Sequence, residues 1–364
     1  MRRSLRSPIV LLFALSFGPW ACKPKSASPP ASPSRSEDAP VASSDPAQRS
    51  AMRAPQKSST PPSGDPAVHT LKRCFDEDAP GDPPRPLDAL LDRAAELYDH
   101  GDFPGSLACA EEASRVEPRS VEAHHDRAAA LQELGRLDEA ESAFARALAI
   151  DPDDPETLAG AADLYINRLP PSNDHTETGL EYARRGSRRM RRARLHPLAG
   201  ARGLQARLAL LEGQALNDLG RSREALMRLD ASLAAAPEDV HARYERAVAL
   251  FDLCRFAEAK RGFQEVLRKS PHDAWSHHHL GLTLERLGDV ASADRELARA
   301  RTEAPAEFHA PVEVSSSEFR ALVDGEAKKL SPELRADLGR VSLETADLPD
   351  LSDLTAEEPP LAPT

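Results

Sequence analysis

Aromatic residues make up only 4% of this 364-residue chain, and alanine and leucine dominate its apolar content. Sheets packed face to face draw on bulkier side chains, so this shortage excludes a β-sandwich and suits closely packed helices. The longest apolar run near the amino terminus, Ile9 to Phe17, is too short to span a bilayer. The chain contains no HExxH, GxSxG, Walker loop or GxGxxG. It therefore shows no catalytic constellation and no cofactor site, and the reading is a protein that is not an enzyme. The four cysteines, Cys22, Cys74, Cys109 and Cys254, include no CxxC pair. With Cys22 set aside for the signal described below, the other three allow at most one disulfide and leave at least one free thiol. Thiols without a role are the plainer expectation. His277, His278 and His279 are consecutive on a helix, so they diverge by about 100° each and cannot converge on one ion, and His124 and His125 share that fault. A metal site between His241 and His278 competes with ordinary groove-lining roles for both. The net charge of −12 argues against nucleic acid as a partner, because binding phosphate needs a basic footprint.

What the chain does have is a period. Pro118 and Pro152 stand 34 residues apart, and so do Pro237, Pro271 and Pro305 in succession. The segment 121–154 reads VEAHHDRAAALQELGRLDEAESAFARALAIDPDD, with Ala128 and Ala140 as small residues, Gly135 between two apolar stripes, then Phe144, Ala147 and Pro152. Counting by the same period places Ala94, Gly101, Ala113 and Pro118 in 87–120, and Gly213, Gly220, Ala225 and Pro237 in 206–239. Ala247, Ala259, Phe263 and Pro271 fall in 240–273, and Gly281, Gly288, Ala293, Ala300 and Pro305 in 274–307. Small residues let two helices cross closely, a glycine supplies the left-handed turn and a proline stops the second helix. Cys254 replaces one turn glycine.

On these residues the chain resembles the tetratricopeptide repeat family. The resemblance implies an all-α, right-handed superhelical solenoid of six helix-turn-helix units over 87–307, the third unit being 155–205. It also implies a non-catalytic scaffold that binds a protein or peptide partner along its concave wall. The exposed side chains of the first helices would line that wall. These are Asp92, Tyr98 and Asp99; His125, Asp126 and Glu133; Asp163; Asn217 and Asp218; Tyr244, Phe251 and Asp252; and Trp275 and His278. The Lys/Asn clamp with which some relatives capture carboxyl termini is replaced by His125, Ala129, Tyr244 and Val248. An acidic amino-terminal half grading into an aromatic carboxyl-terminal half would suit an extended peptide with basic and apolar side chains; a merely solvated acidic wall is the alternative.

The third unit is irregular. After a first helix carrying Leu158, Ala161, Ala162 and Tyr165, a loop is expected from Leu169 to Asp174, then a long helix from about Thr176 to Leu195. Arg184, Arg185, Arg188, Arg189, Arg191 and Arg192 fall on one arc of it, with Leu180, Ala183, Ser187, Met190 and Ala193 opposite; Arg194 adds to the charge. This face is either a solvated surface or an anion-binding strip.

Arg2, Arg3 and Arg6, the apolar run and Ala21-Cys22 follow the order of a secretory signal over 1–21. They resemble a bacterial lipoprotein signal, although Pro19 and Trp20 depart from its usual residues. The resemblance implies lipidation at Cys22, export to the bacterial cell envelope and anchoring to the membrane on its periplasmic side. Residues 22–86 are rich in Pro, Ser and Ala and read as a disordered tether. Beyond the repeats, Val312–Val323, Leu330–Leu338 and Val341–Pro349 resemble the opening of small bacterial zinc-metallopeptidase domains, whose HExxH helix would lie beyond Thr364. The residues 308–345 are then a remnant of such a domain, making this chain its targeting part, or a helical cap begun at Ser317 and Ser331. An acidic tail follows over 346–364.

Overall fold

The computed structural model describes residues 74–75, 86–192, 201–310, 314–340, 348–356 and 360. The signal segment, Cys22 and nearly all of the tether lie outside them, as do Arg194 and residues 341–347. Among the described residues every regular element is a helix, and those from 87 to 303 come in pairs: α1 (Leu87–Asp99) with α2 (Phe103–Val116), α3 (Val121–Glu133) with α4 (Leu137–Ile150), α5 (Pro155–Asp163) with α6 (Asn173–Arg192), α7 (Ala201–Asp218) with α8 (Ser222–Ala235), α9 (Val240–Asp252) with α10 (Phe256–Lys269), and α11 (Ala274–Arg286) with α12 (Val290–Glu303).

The local signals that start and stop these helices recur with the period. Two residues after each closing proline stands a side chain that caps the next first helix: Ser120, Asp154, Asp239 and Asp273 accept from the backbone N–H groups of Ala123, Thr157, Ala242 and Ser276. Such caps satisfy amides that have no partner inside the helix. Between the two helices of a pair the chain reverses through a left-handed residue: Gly101, Gly135, Gly220 and Gly288, at φ 77°, 73°, 70° and 77°. Cys254 adopts the same turn at φ 57°, the only non-glycine residue at positive φ among those described.

Within a pair the helices cross at small residues. A Cβ on Gly213 would sit 2.5 Å from Leu229 Cγ, and one on Gly281 2.6 Å from Leu297 Cγ, so only glycine fits at either crossing. Each helix packs on its sequence neighbours, and the first helices of successive pairs also touch one another. The first helices thus form one continuous wall.

The third pair departs from the expectation in two places. α5 runs on into a π-helical turn (Leu164–Arg168), and α6 begins at Asn173, with the Ser172 hydroxyl accepting from His175 N. The loop is therefore shorter than the Pro-Pro-Ser-Asn-Asp stretch suggested. α7 begins at Ala201, so residues 201–205 belong to the fourth pair and not the third.

Both ends of the stack are closed, by different means. At the amino end Cys74 and Cys109 form a disulfide, which gives two of the thiols a structural role and leaves Cys254 free. Phe75 packs beside it against the cluster of Leu90, Leu91, Ala94 and Ala110. At the other end Phe308 covers the last pair, its ring 4.9 Å from Trp275 and 4.6 Å from His278. Residues 310–349 form a separate unit. Its helices α13 (Ser316–Ala327) and α14 (Pro332–Leu338) bury no side chain, and α13 is capped by Ser315, in a capping box with Glu318, instead of by Ser317. In the tail a single turn, α15 (Leu351–Leu354), groups with the solenoid and buries Leu354.

Candidate functional site

The wall of first helices encloses a cleft of about 1130 Å³. α1 contributes Tyr98 and Asp99; α3 contributes His125, Asp126, Ala129, Gln132 and Glu133; α5 and its π-helical turn contribute Gly160, Asp163 and Arg168; α7 contributes Arg207, Leu210 and Gln214. The start of α9, with Asp239, His241 and Tyr244, and the turn at Lys269–Asp273 complete it. The floor is shaped by close packing, since the Phe144 ring lies where a Cβ on Gly160 would stand, at 2.6 Å, and meets His125 edge-on.

Most of the charges in the cleft are already engaged. Glu133 pairs with Arg168 at 2.6 Å, a contact made across two repeats because the π-helical turn carries Arg168 inward. Asp163 accepts from Gln132 at 2.7 Å and from Asn167 at 2.6 Å. Asp239 and Asp273 cap helices, and Lys269 pairs with Glu238. Asp126 has no hydrogen-bond or ion-pair partner among the described residues; burial first, and the neighbouring Glu122 second, push its carboxyl up to about 7. Burial holds His125 down at about 4, so its ring is neutral at physiological pH. Tyr98 is raised, by burial and then by Glu133.

The expected wall residues divide into two groups. Tyr98, Asp99, His125, Asp126, Glu133, Asp163 and Tyr244 lie together on the cleft, and Asp92 is exposed but away from it. Asn217, Phe251 and Trp275 are instead core residues, each at most 7% exposed. Asn217 donates to the Glu245 carbonyl at 3.0 Å, joining α7 to α9. Phe251 packs edge-on to Phe256, and His278 stacks under Phe308. Asp218 is likewise buried, and Asp252 accepts from Ser222. The aromatic half of the wall is therefore sealed. His279 lies at its centre, stacked on Phe263 and edge-on to Tyr244, whose hydroxyl is 3.2 Å from His279 Nδ1. Sequence reasoning missed Gln132, Arg168, Arg207 and Gln214, although Arg207 and Gln214 share a helix with Asn217.

The arginine face of α6 is partly spoken for. Arg184 pairs with Glu224 at 3.4 Å, Arg185 with Asp153 at 2.8 Å and Arg188 with Glu181 at 2.6 Å. Arg189, Arg191 and Arg192 are exposed on the last turn, where cations also suit the helix dipole. Among the described residues no group of three or more His, Cys, Asp or Glu side chains is placed to hold a metal ion.

A model of the tetratricopeptide repeat matches residues 91–155 and 210–274. These are tetratricopeptide repeats. Solved structures of the same fold include PilF of Pseudomonas aeruginosa, 16% identical over 65% of this chain and 96% of that one, with a TM-score of 0.51. PilW, described as a widely conserved type IV pilus biogenesis factor, is 21% identical over 60% of this chain and 94% of its own, also with a TM-score of 0.51. At such identities the likeness is one of fold.

Proposed function

We propose that this tetratricopeptide-repeat protein is a non-catalytic scaffold of the bacterial cell envelope, lipid-anchored at Cys22, that binds an extended peptide segment of a protein partner in the cleft of its inner wall. The cleft carries the reading: it runs along five repeats, Ala129 is a small residue on its wall, and most of its charged groups are fixed by neighbours instead of clustered for chemistry. Export is supported by the signal-like amino terminus and by the Cys74–Cys109 disulfide, since such bonds persist in oxidising compartments. A tether of the length of residues 22–86 would let the cleft work away from the membrane surface.

Ala129→Trp fills the cleft from α3. Peptides selected against the full chain from a random display library should lose binding to this variant while its melting curve stays close to that of the parent. If no peptide can be selected, or the selected peptides ignore Ala129→Trp, the scaffold reading fails. The anchor is tested separately. Cys22→Ala should move the protein from the detergent to the aqueous phase in Triton partitioning, and unchanged partitioning would remove the lipid.

A further inference from the structure

The cleft holds an excess of hydrogen-bond acceptors. Once Glu133, Asp163, Asp239, Asp273 and Lys269 are matched to their partners, Asp99 on α1, Asp126 on α3 and Arg207 on α7 remain without one among the described residues. Two further groups on the wall point the same way. Gln132 is 7% exposed and Gln214 1%, and each commits its amide nitrogen to a carboxylate, Asp163 and Glu245 respectively. A carboxylate demands the NH₂ end, so the orientation of both amides is fixed by chemistry and each carbonyl oxygen is left without a donor. Buried acceptors without donors are costly, and both oxygens add their partial negative charge to the side of the wall that carries Asp126 and Asp99.

Resting on the peptide reading above, we infer that the cleft selects a basic segment, with a lysine or arginine side chain held by the unpartnered carboxylates Asp126 and Asp99. Charge-assisted bonds of this kind are strong where the carboxylate is partly desolvated. The groups that share the wall with Asp126 are Tyr98 and Asp99 of α1, Glu122 and His125 of its own helix, Asp163 of α5 and Arg207 of α7. Among the described groups of this wall Arg207 is the one cation without a partner, and its field acts on Tyr98 and His125. Because the Asp126 carboxyl is raised to about 7, a cationic ligand must displace its proton. Affinity should therefore rise from about pH 6 to about pH 8, and the complex should release protons on forming.

The test uses the full chain and the cleft-dependent peptides, those that lose binding to Ala129→Trp. These should be rich in lysine and arginine, and replacing the critical lysine by norleucine should weaken binding about tenfold or more. Asp126→Asn should cause the same loss for the lysine peptide and no further loss for the norleucine peptide. Arg207→Gln should strengthen binding, which a merely unfolded variant could not do. Cleft-dependent peptides that lack basic residues, or that bind Asp126→Asn as well as the parent, overturn the basic-segment proposal and leave the scaffold reading standing. An absence of any cleft-dependent peptide overturns both.

Discussion

The two halves of the solenoid use one repeat frame for opposite ends. From α1 to the start of α9 first-helix residues face a polar cleft, whereas beyond it Phe251, Trp275 and His279 close on one another and on Phe263 of α10, with Tyr244 at the boundary and Phe308 as the last layer. Repeat register therefore does not by itself decide whether an inner-wall side chain is a binding surface. What decides it is the size of the groups that the next repeat sets opposite. A small residue such as Ala129 leaves the cleft open, and a ring at the facing position fills the space, as Phe144 does over Gly160.

Removing the central ring should break this contrast most directly. Phe263 is fully buried, stacked on His279 and edge-on to Tyr244. Phe263→Ala should cost about 3–5 kcal/mol, the range for a large aromatic lost from a core. Chemical denaturation should show it, with amide exchange rising first in α9 to α12. A loss spread evenly over all six repeats would mean that the aromatic half is not a distinct unit of stability.

The cleft half has smaller apolar clusters and is closed at its end by a covalent bond. The disulfide spans 35 residues between Cys74 and Cys109. Converting both cysteines to serine should cost about 2–4 kcal/mol, and reductant should produce the same loss in the parent. Exchange should increase in α1 and α2 and leave α11 and α12 untouched. An unchanged denaturation midpoint would mean that Phe75 and its apolar contacts hold that end without the bond.

Much of this was legible in the sequence, because the repeat is specified locally. The proline, the capping side chain two residues later and the left-handed glycine each act on their own stretch of backbone, and even Cys254 takes the turn that its position predicts. The site was less legible for the same reason. Phe251, Trp275 and His278 occupy first-helix positions that look exposed within their own repeat; Phe251 and Trp275 are buried and His278 half-buried by Phe256 and Phe308, which come from other elements. Arg168 reaches the cleft through a π-helical turn that no residue pattern announced. Three arginines of the basic face are engaged, two of them by acids on other helices or turns, Glu224 and Asp153.

Acid should separate the halves further. Burial holds His278 down at about 3 and also depresses His279, so between about 3 and the ordinary histidine value of 6.5 the unfolded chain binds protons that the folded one does not. Stability in the aromatic half must then fall as pH falls through that window, by up to about 1.4 kcal/mol per pH unit for each such group. In the cleft half two effects oppose each other. His125, depressed to about 4, loses stability on acidification, while Asp126, raised to about 7, binds its proton more tightly when folded and gains it. His278→Phe, which keeps a ring against Phe308, should flatten the acid dependence of exchange in α11 and leave that of α3 alone. Equal acid sensitivity in parent and variant would contradict the desolvation of this imidazole.

The smallest effect sits at the turn that both halves share. Four of the five left-handed turns use glycine, and Cys254 alone carries a side chain there, at φ 57°. An L-residue in this region costs roughly 1–2 kcal/mol, and glycine gives back part of that relief by losing more freedom on folding, about 0.5–1 kcal/mol. Cys254 also packs its partly buried sulfur against the core, which glycine would forgo. Cys254→Gly should therefore stabilise the fifth repeat by only about 0.5 kcal/mol, whereas Cys254→Ala, which keeps the strain and loses the packing, should not stabilise it at all. The reciprocal change calibrates the argument. A Cβ on Gly101 would meet no atom within 4 Å, so Gly101→Ala carries the conformational cost alone and should destabilise the first repeat by about 1 kcal/mol. If Cys254→Gly and Cys254→Ala melt together, the left-handed conformation costs this chain nothing, and the sulfur, not the backbone, explains the residue at that turn.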